Sequence, residues 1–342
     1  MKNTSTVIAS FLLFFFSAAL FAASLTGRVT VRAESHAERG LFNRGSEEET
    51  GDSTELEKAG YLKIPLPEGV EETDVTIQNN PFENRIFIRI SGADEDYYRT
   101  NFFSGDMTDI EDVRYGYADG VSTVELITGE VRIPVCEYTP GSFFVKVLPP
   151  RDIYERIIVV DSGHGVNDPG SVVYGIEERS ITAAVAGRLC TFLQDGKTMV
   201  CLSVPDETVH SEKERSEMIN SLKPDLLLSI HTGADPDTRV TNGVEIGSSA
   251  DMADNAEKLA ALLSSACEQK NLGSSVKRVP GLTEYLEVPY LRIKLGLITN
   301  RFEAEKMNSE EYQERAARTI AAFINGTGNL KAGSAIGAGG GF

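Results

Sequence analysis

Residues 288–300, VPYLRIKLGLITN, alternate at period two: Leu291, Ile293, Leu295 and Leu297 share one face, and Tyr290, Arg292, Lys294 and Gly296 the other. The spacing predicts a strand. Two cations on one face of an otherwise apolar strand cost too much to bury unpaired, so that face either meets water or lines a site. Strand and helix patterns alternate from residue 151 to 328. Residues 156–160 (RIIVV) predict a buried strand, and Ile181, Val185, Leu189 and Phe192 then fall at helical spacing. Residues 198–203 and 225–230 predict a second and a third strand, with a short, mostly solvated helix between them at 211–222. GVEIG at 243–247 is a fourth strand candidate, and a long helix is expected over 253–269. The last helix is expected to start near Asn308, with Glu311 completing a capping box. Tyr312, Ala316, Ile320 and Phe323 give it an apolar face, and Gly326 ends it. Strands alternating with helices imply an α/β fold, a largely parallel sheet flanked by helices.

The pattern upstream is different. Residues 85–92, 122–129, 130–138 and 142–150 are short β-branched and aromatic runs bounded by turn residues. They predict a small β-rich accessory domain over 61–150, a sandwich or meander, with Pro149-Pro150 at its boundary. Residues 25–60 are polar and charge-rich and read as a disordered acidic linker, and the Gly-rich tail 329–342 as flexible. Residues 7–23 form one apolar run behind Lys2 and before Ala22-Ala23-Ser24. That pattern over 1–24 predicts a signal peptide or a membrane anchor, and either implies export.

The formal charge of −18 argues against nucleic acid as a partner, because a phosphate backbone is met by a basic face. The four cysteines have no CxxC spacing and make no metal cluster. Cys190 and Cys201 are a candidate pair in an exported chain, but separate buried thiols are the simpler reading.

Chemistry concentrates at strand ends, where open α/β sheets place their sites. IIVVDSGHG runs into His164 and LLLSIH ends on His231, and the chain has only four histidines. Between them Glu177 and Glu178 open a helix. A carboxylate there either complements the helix dipole or serves as a third ligand. Two histidines and one glutamate leave an open position on zinc, as catalytic sites do.

Residues 156–324 resemble the catalytic domain of the zinc-dependent N-acetylmuramoyl-L-alanine amidases, exported bacterial enzymes that cut peptidoglycan between glycan and stem peptide. VVDSGHGVNDPG resembles the family's opening turn, GIEERSITAAVAGRL its Gly-x-x-Glu helix start, and SIHTG its later strand end. Arg215 and Asn220 match an Arg-x-x-x-x-Asn helix, and NGVEI and GLITN fit later segments. The resemblance implies zinc held by His164, Glu178 and His231, with Glu178 rather than Glu177 as the ligand, substrate contacts from Arg215 and Asn220, and peptidoglycan as partner. It also exposes a departure. The family's second glutamate, which relays a proton to the leaving amine, falls on Lys294 here. A neutral lysine beside a metal could replace it, or Glu284 or Glu287 could lean in. Ser162, Val166, Gly233 and a missing arginine near Ser203-Val204 depart further. Three readings follow: a zinc amidase with an unusual proton shuttle, a weakened or inactive zinc-binding homologue that binds cell wall or regulates another amidase, and a metal-free exported scaffold.

Overall fold

A computed structural model describes residues 60–81, 83–165, 167–203, 211–235, 243–276 and 282–327. The expectations for the leader 1–24, the linker up to residue 59, the tail 329–342, and Val166 and Val204 lie outside these residues. The chain divides into two units between Ile153 and Tyr154.

The first unit is a β-sandwich. Its elements are β1 (Leu62–Pro65), β2 (Val75–Asn80), β3 (Arg85–Ser91), α1 (Tyr97–Thr100), β4 (Ser104–Gly105), β5 (Asp112–Ala118), β6 (Val121–Ile127), β7 (Ile133–Thr139), β8 (Ser142–Leu148) and α2 (Pro150–Ile153). Two four-stranded antiparallel sheets, β4-β1-β8-β7 and β2-β3-β6-β5, share one core. Leu62, Ile64 and Val145 come from one sheet and Ile86, Ile88, Ile90, Val124 and Leu126 from the other. Alternation explains the packing. Ile86, Ile88 and Ile90 are buried, whereas Arg85, Phe87 and Arg89, which alternate with them, face away.

The second unit is built on a six-stranded mixed sheet of order β12-β9-β13-β16-β14-β15. It comprises β9 (Arg156–Asp161), the hairpin β10 (Val172–Val173) and β11 (Ile176–Glu177), α3 (Glu178–Leu193), β12 (Thr198–Leu202), α4 (Glu212–Leu222), β13 (Leu226–Gly233), β14 (Val244–Ser248), α5 (Ala253–Ala266), β15 (Asn271–Val276), β16 (Tyr290–Leu297), α6 (Arg301–Met307) and α7 (Glu310–Gly326). Every pairing in the six-stranded sheet is parallel except β14 with β16. One sheet face carries Ile158, Val160, Leu228, Ile230, Ile246, Leu291 and Ile293, and packs against α3, α5 and α7. The opposite face begins apolar with Ile157, Val159, Leu227 and Tyr290. It turns polar toward the strand ends, with Asp161, Ser229, His231, Arg292 and Lys294.

Several sequence readings are corrected. Leu193, not Phe192, takes the buried place on α3; Phe192 is half-buried and lies 4.3 Å from the Arg318 guanidinium. Helix α4 is not mostly solvated, since Arg215, Ser216, Met218, Ile219 and Leu222 are buried. Asn308 closes α6, and Ser309 caps α7 by accepting from the Tyr312 amide. Glu311 is therefore one position short of a capping box. All four cysteines are free. No helix among the described residues is long and apolar enough to cross a membrane.

Candidate metal centre

The turn after β9 is shaped by backbone only certain residues adopt. Gly163 has φ +53°, and a Cβ there would sit 2.6 Å from the Ile230 carbonyl oxygen and 2.8 Å from the His231 ring. His164 itself lies in the left-handed region at φ +63°. At Gly170, φ +66°, a Cβ would meet the His164 ring at 2.7 Å. Glycine at both places lets the chain close around two imidazoles.

Asp161, only 1% exposed, anchors this turn. Its carboxylate accepts from Gly163 N at 3.2 Å, Ser229 Oγ at 3.0 Å and Arg215 Nη1 at 2.7 Å, and from Ser203 Oγ. Burial opposes its ionisation, but Arg215, His231 and the serine hydroxyls hold its pKa below the ordinary value.

His164, Glu178 and His231 converge. Glu178 opens α3 and is 4% exposed. Its Oε2 lies 3.2 Å from His164 Nε2 and its Oε1 3.6 Å from His231 Nδ1. Thr232 N donates to Oε1 at 2.8 Å and Ser171 N to Oε2 at 3.3 Å. Each imidazole is braced from behind: Asp168 Oδ2 lies 2.8 Å from His164 Nδ1, and Ser229 Oγ 3.1 Å from His231 Nε2. The near nitrogens are thus left to Glu178, as where histidines hold a metal. One donor atom from each residue lies within 4.8 Å of the others. Donors about 2.0–2.2 Å from a tetrahedral zinc sit roughly 3.3–3.6 Å apart; the two separations from the Glu178 carboxylate, 3.2 and 3.6 Å, are close to that spacing, and two imidazoles with one carboxylate are a donor set zinc takes. Hydrogen bonding to Glu178, with help from Asp168 and against burial, pushes His164 up to about 9. Burial pulls His231 below its ordinary value. Burial would raise Glu178, but its bonds to both imidazoles and to Thr232 N hold it far below the carboxylate range. Glu177 turns elsewhere, pairing with Arg179 at 2.7 Å.

Lys294 stands in register with His231 on one side and with Glu245 on the other. Its Nζ donates to Glu245 Oε2 at 2.7 Å. Glu284 and Glu287 are exposed. Arg215 is buried in the Asp161 ion pair and also donates to the His164 carbonyl at 3.4 Å. Asn220 does not join the cluster. Its amide donates to Tyr285 O at 2.8 Å and accepts from Glu287 N at 3.0 Å, so it holds a loop in place. Sequence reasoning missed Asp161, Asp168, Ser229 and Glu245 as parts of the site. Asp161 and Ser229 carried a signal, being polar positions near the ends of otherwise apolar strands.

Comparison with known proteins adds a family. The family model described as N-acetylmuramoyl-L-alanine amidase matches residues 158–326. The chain belongs to the N-acetylmuramoyl-L-alanine amidase family. The match lies wholly within the second unit. Among amidase relatives, N-acetylmuramoyl-L-alanine amidase LytC of Bacillus subtilis is 30% identical over 168 residues, covering 48% of this chain and 34% of LytC. The chain thus spans about a third of that protein. The uncharacterized protein YqiI of Bacillus subtilis is 30% identical over 180 residues, 50% of this chain and 82% of YqiI. The germination-specific N-acetylmuramoyl-L-alanine amidase of the same organism is 26% identical, over 48% of this chain and 76% of that protein. The solved catalytic domain of the amidase CwlV from Bacillus (Paenibacillus) polymyxa var. colistinus is 24% identical, with TM-score 0.48, over 52% of this chain and 99% of that one.

Proposed function

We propose that this amidase-family chain is exported, takes zinc at His164, Glu178 and His231, and hydrolyses the amide between N-acetylmuramic acid and L-alanine in peptidoglycan. The observation that carries the reading is the convergence of His164 Nε2, His231 Nδ1 and the Glu178 carboxylate, with Asp168 and Ser229 behind the rings. Zinc, when bound, supplies Lewis acidity, acidifying a water and polarising the amide carbonyl. Glu178 contributes one negative charge to the cage, and the Asp161–Arg215 pair holds the turn that carries His164. The apolar run at residues 7–23 is the support for export.

A second reading has its own support. By the family resemblance Lys294 falls where the proton-relaying glutamate is expected, and its ammonium donates to Glu245. A charged lysine cannot accept a proton. On this reading the chain binds wall material, or regulates another amidase, without cutting.

Release of stem peptide from purified peptidoglycan with zinc supplied separates the two. Three variants are compared with the natural chain: His164→Ala, Lys294→Glu, and Lys294→Glu with Glu245→Gln, the last removing the repulsion between facing carboxylates. Release by the natural chain, lost in His164→Ala, supports the amidase reading. Release only when glutamate stands at position 294, a gain of about 10²–10⁴-fold for general base help, supports the second. Silence in every protein removes the enzyme reading.

A further inference from the structure

Of the two cations that share a face of β16, Lys294 has Glu245 as its partner. Arg292 has no hydrogen bond or ion pair among the described residues, although it is only partly exposed. It lines a small polar cleft with His231, Ser229, Arg215, Glu212 and Thr283. Carboxylates surround it at longer range: Asp161 is paired with Arg215, Glu178 with the histidines and Glu245 with Lys294, while Glu212, exposed on the same cleft, makes no ion pair with Arg292 among the described residues. Desolvation outweighs their field and lowers the Arg292 pKa from its ordinary value. A guanidinium that gives up water without gaining a partner is costly. A planar, five-donor group in a cleft beside the cage is suited to a bidentate carboxylate.

We propose that Arg292 is a carboxylate-binding residue of the substrate cleft, which takes an acidic group of the stem peptide close to the bond that is cut. The inference rests on the amidase reading for the identity of the ligand. Register supports the assignment. His231 and Lys294 form one cross-strand row, and Ser229 and Arg292 form the row two residues earlier, roughly 6.6–6.8 Å away. In peptidoglycan the residue after L-alanine is a γ-linked glutamate, whose α-carboxyl is either free or amidated. At about 3.3–3.6 Å per extended residue, that carboxyl falls at a comparable distance from the scissile amide. Arg292 would therefore distinguish the acid from the amide form of the stem.

The test uses the full chain without metal, so that binding is read without turnover. The probes are N-acetylmuramoyl-L-alanyl-D-glutamate and its isoglutamine analogue, measured by calorimetry. The natural chain is expected to favour the acid by about tenfold, as for one charge-assisted contact. Arg292→Met should bind both equally, and Arg292→Lys should keep part of the preference. A natural chain without preference, or an Arg292→Met variant that keeps it, overturns the proposal. A third probe, millimolar acetate followed through arginine Nε–H resonances, separates this inference from the reading beneath it. Acetate that shifts Arg292 while neither muropeptide binds would keep the carboxylate site and remove peptidoglycan as its ligand. Muropeptides bound alike, with Arg292 unmoved by acetate, would remove the site and leave the amidase reading standing. No response to any of the three probes removes both.

Discussion

Asp161 and Arg215 show how single residues build this site. The carboxylate is buried under an ion pair at 2.7 Å and three further hydrogen bonds. Breaking such a pair leaves an uncompensated charge, so Arg215→Met should cost about 3–5 kcal/mol, read from denaturant unfolding. The folded pKa of Asp161 is depressed, so its contribution is present above the unfolded value of about 3.9 and is lost as pH falls through the folded value. Thermal melts of the natural chain should decline below about pH 4, and less so for Asp161→Asn. At the cage, zinc at 100 times its Kd should stabilise the chain by about 2.7 kcal/mol, a gain that chelation and His164→Ala both remove. The histidines and Glu178 were legible because each sits at a strand or helix end within a recognisable motif. Glu245 was not, because its relation to Lys294 exists only across a strand pair. Asn220 matched a motif, yet its amide is occupied by the backbone of residues 285 and 287.

Elements were readable where one face is apolar. Ile181, Val185 and Leu189 on α3, and Tyr312, Ala316 and Ile320 on α7, are buried as their spacing requires. Strand β15 escaped notice because NLGSSV has no buried residue and lies at the sheet edge. The reversed direction of β14 was equally hidden, since alternation is the same read either way. One bond ties the last helix to the strand of the site: Tyr312 OH donates to the Leu295 carbonyl at 2.5 Å. Tyr312→Phe should cost about 1–2 kcal/mol in equilibrium unfolding. A loss under a few tenths would show that the bond contributes little. At the turn before His164, Gly163→Ala meets both a left-handed φ and a carbonyl at 2.6 Å. It should weaken zinc binding by tenfold or more, about 1.4 kcal/mol, in chelator competition.

At the scale of the molecule the two units have separate cores, one of facing sheets and one of sheet against helices. Everything argued for the cage lies in the second. Residues 154–327 produced alone should therefore melt cooperatively and keep the zinc affinity of the full chain within about twofold, near 0.4 kcal/mol. A larger loss would mean that the first unit supports the cage. The charge of −18 gives no long-range attraction to an anionic wall, so docking is expected to depend on local groups such as Arg292.

The pattern of residues by itself determined the α/β class, the β-rich segment before it and the two histidines at strand ends; the choice of Glu178 over Glu177 came from the family resemblance. Periodicity reports which faces are buried, and strand ends report where polar chemistry collects. It also placed Arg292 and Lys294 on one face without saying what they meet. Only the tertiary structure decided that, because pairing partners come from other strands. Glu245 on β14 meets Lys294, and Arg292 lies beside Ser229 of β13 in the cleft. The two cations are two residues apart in sequence and alike in pattern. Cross-strand register makes one half of an ion pair and leaves the other in the polar cleft beside Ser229 and His231.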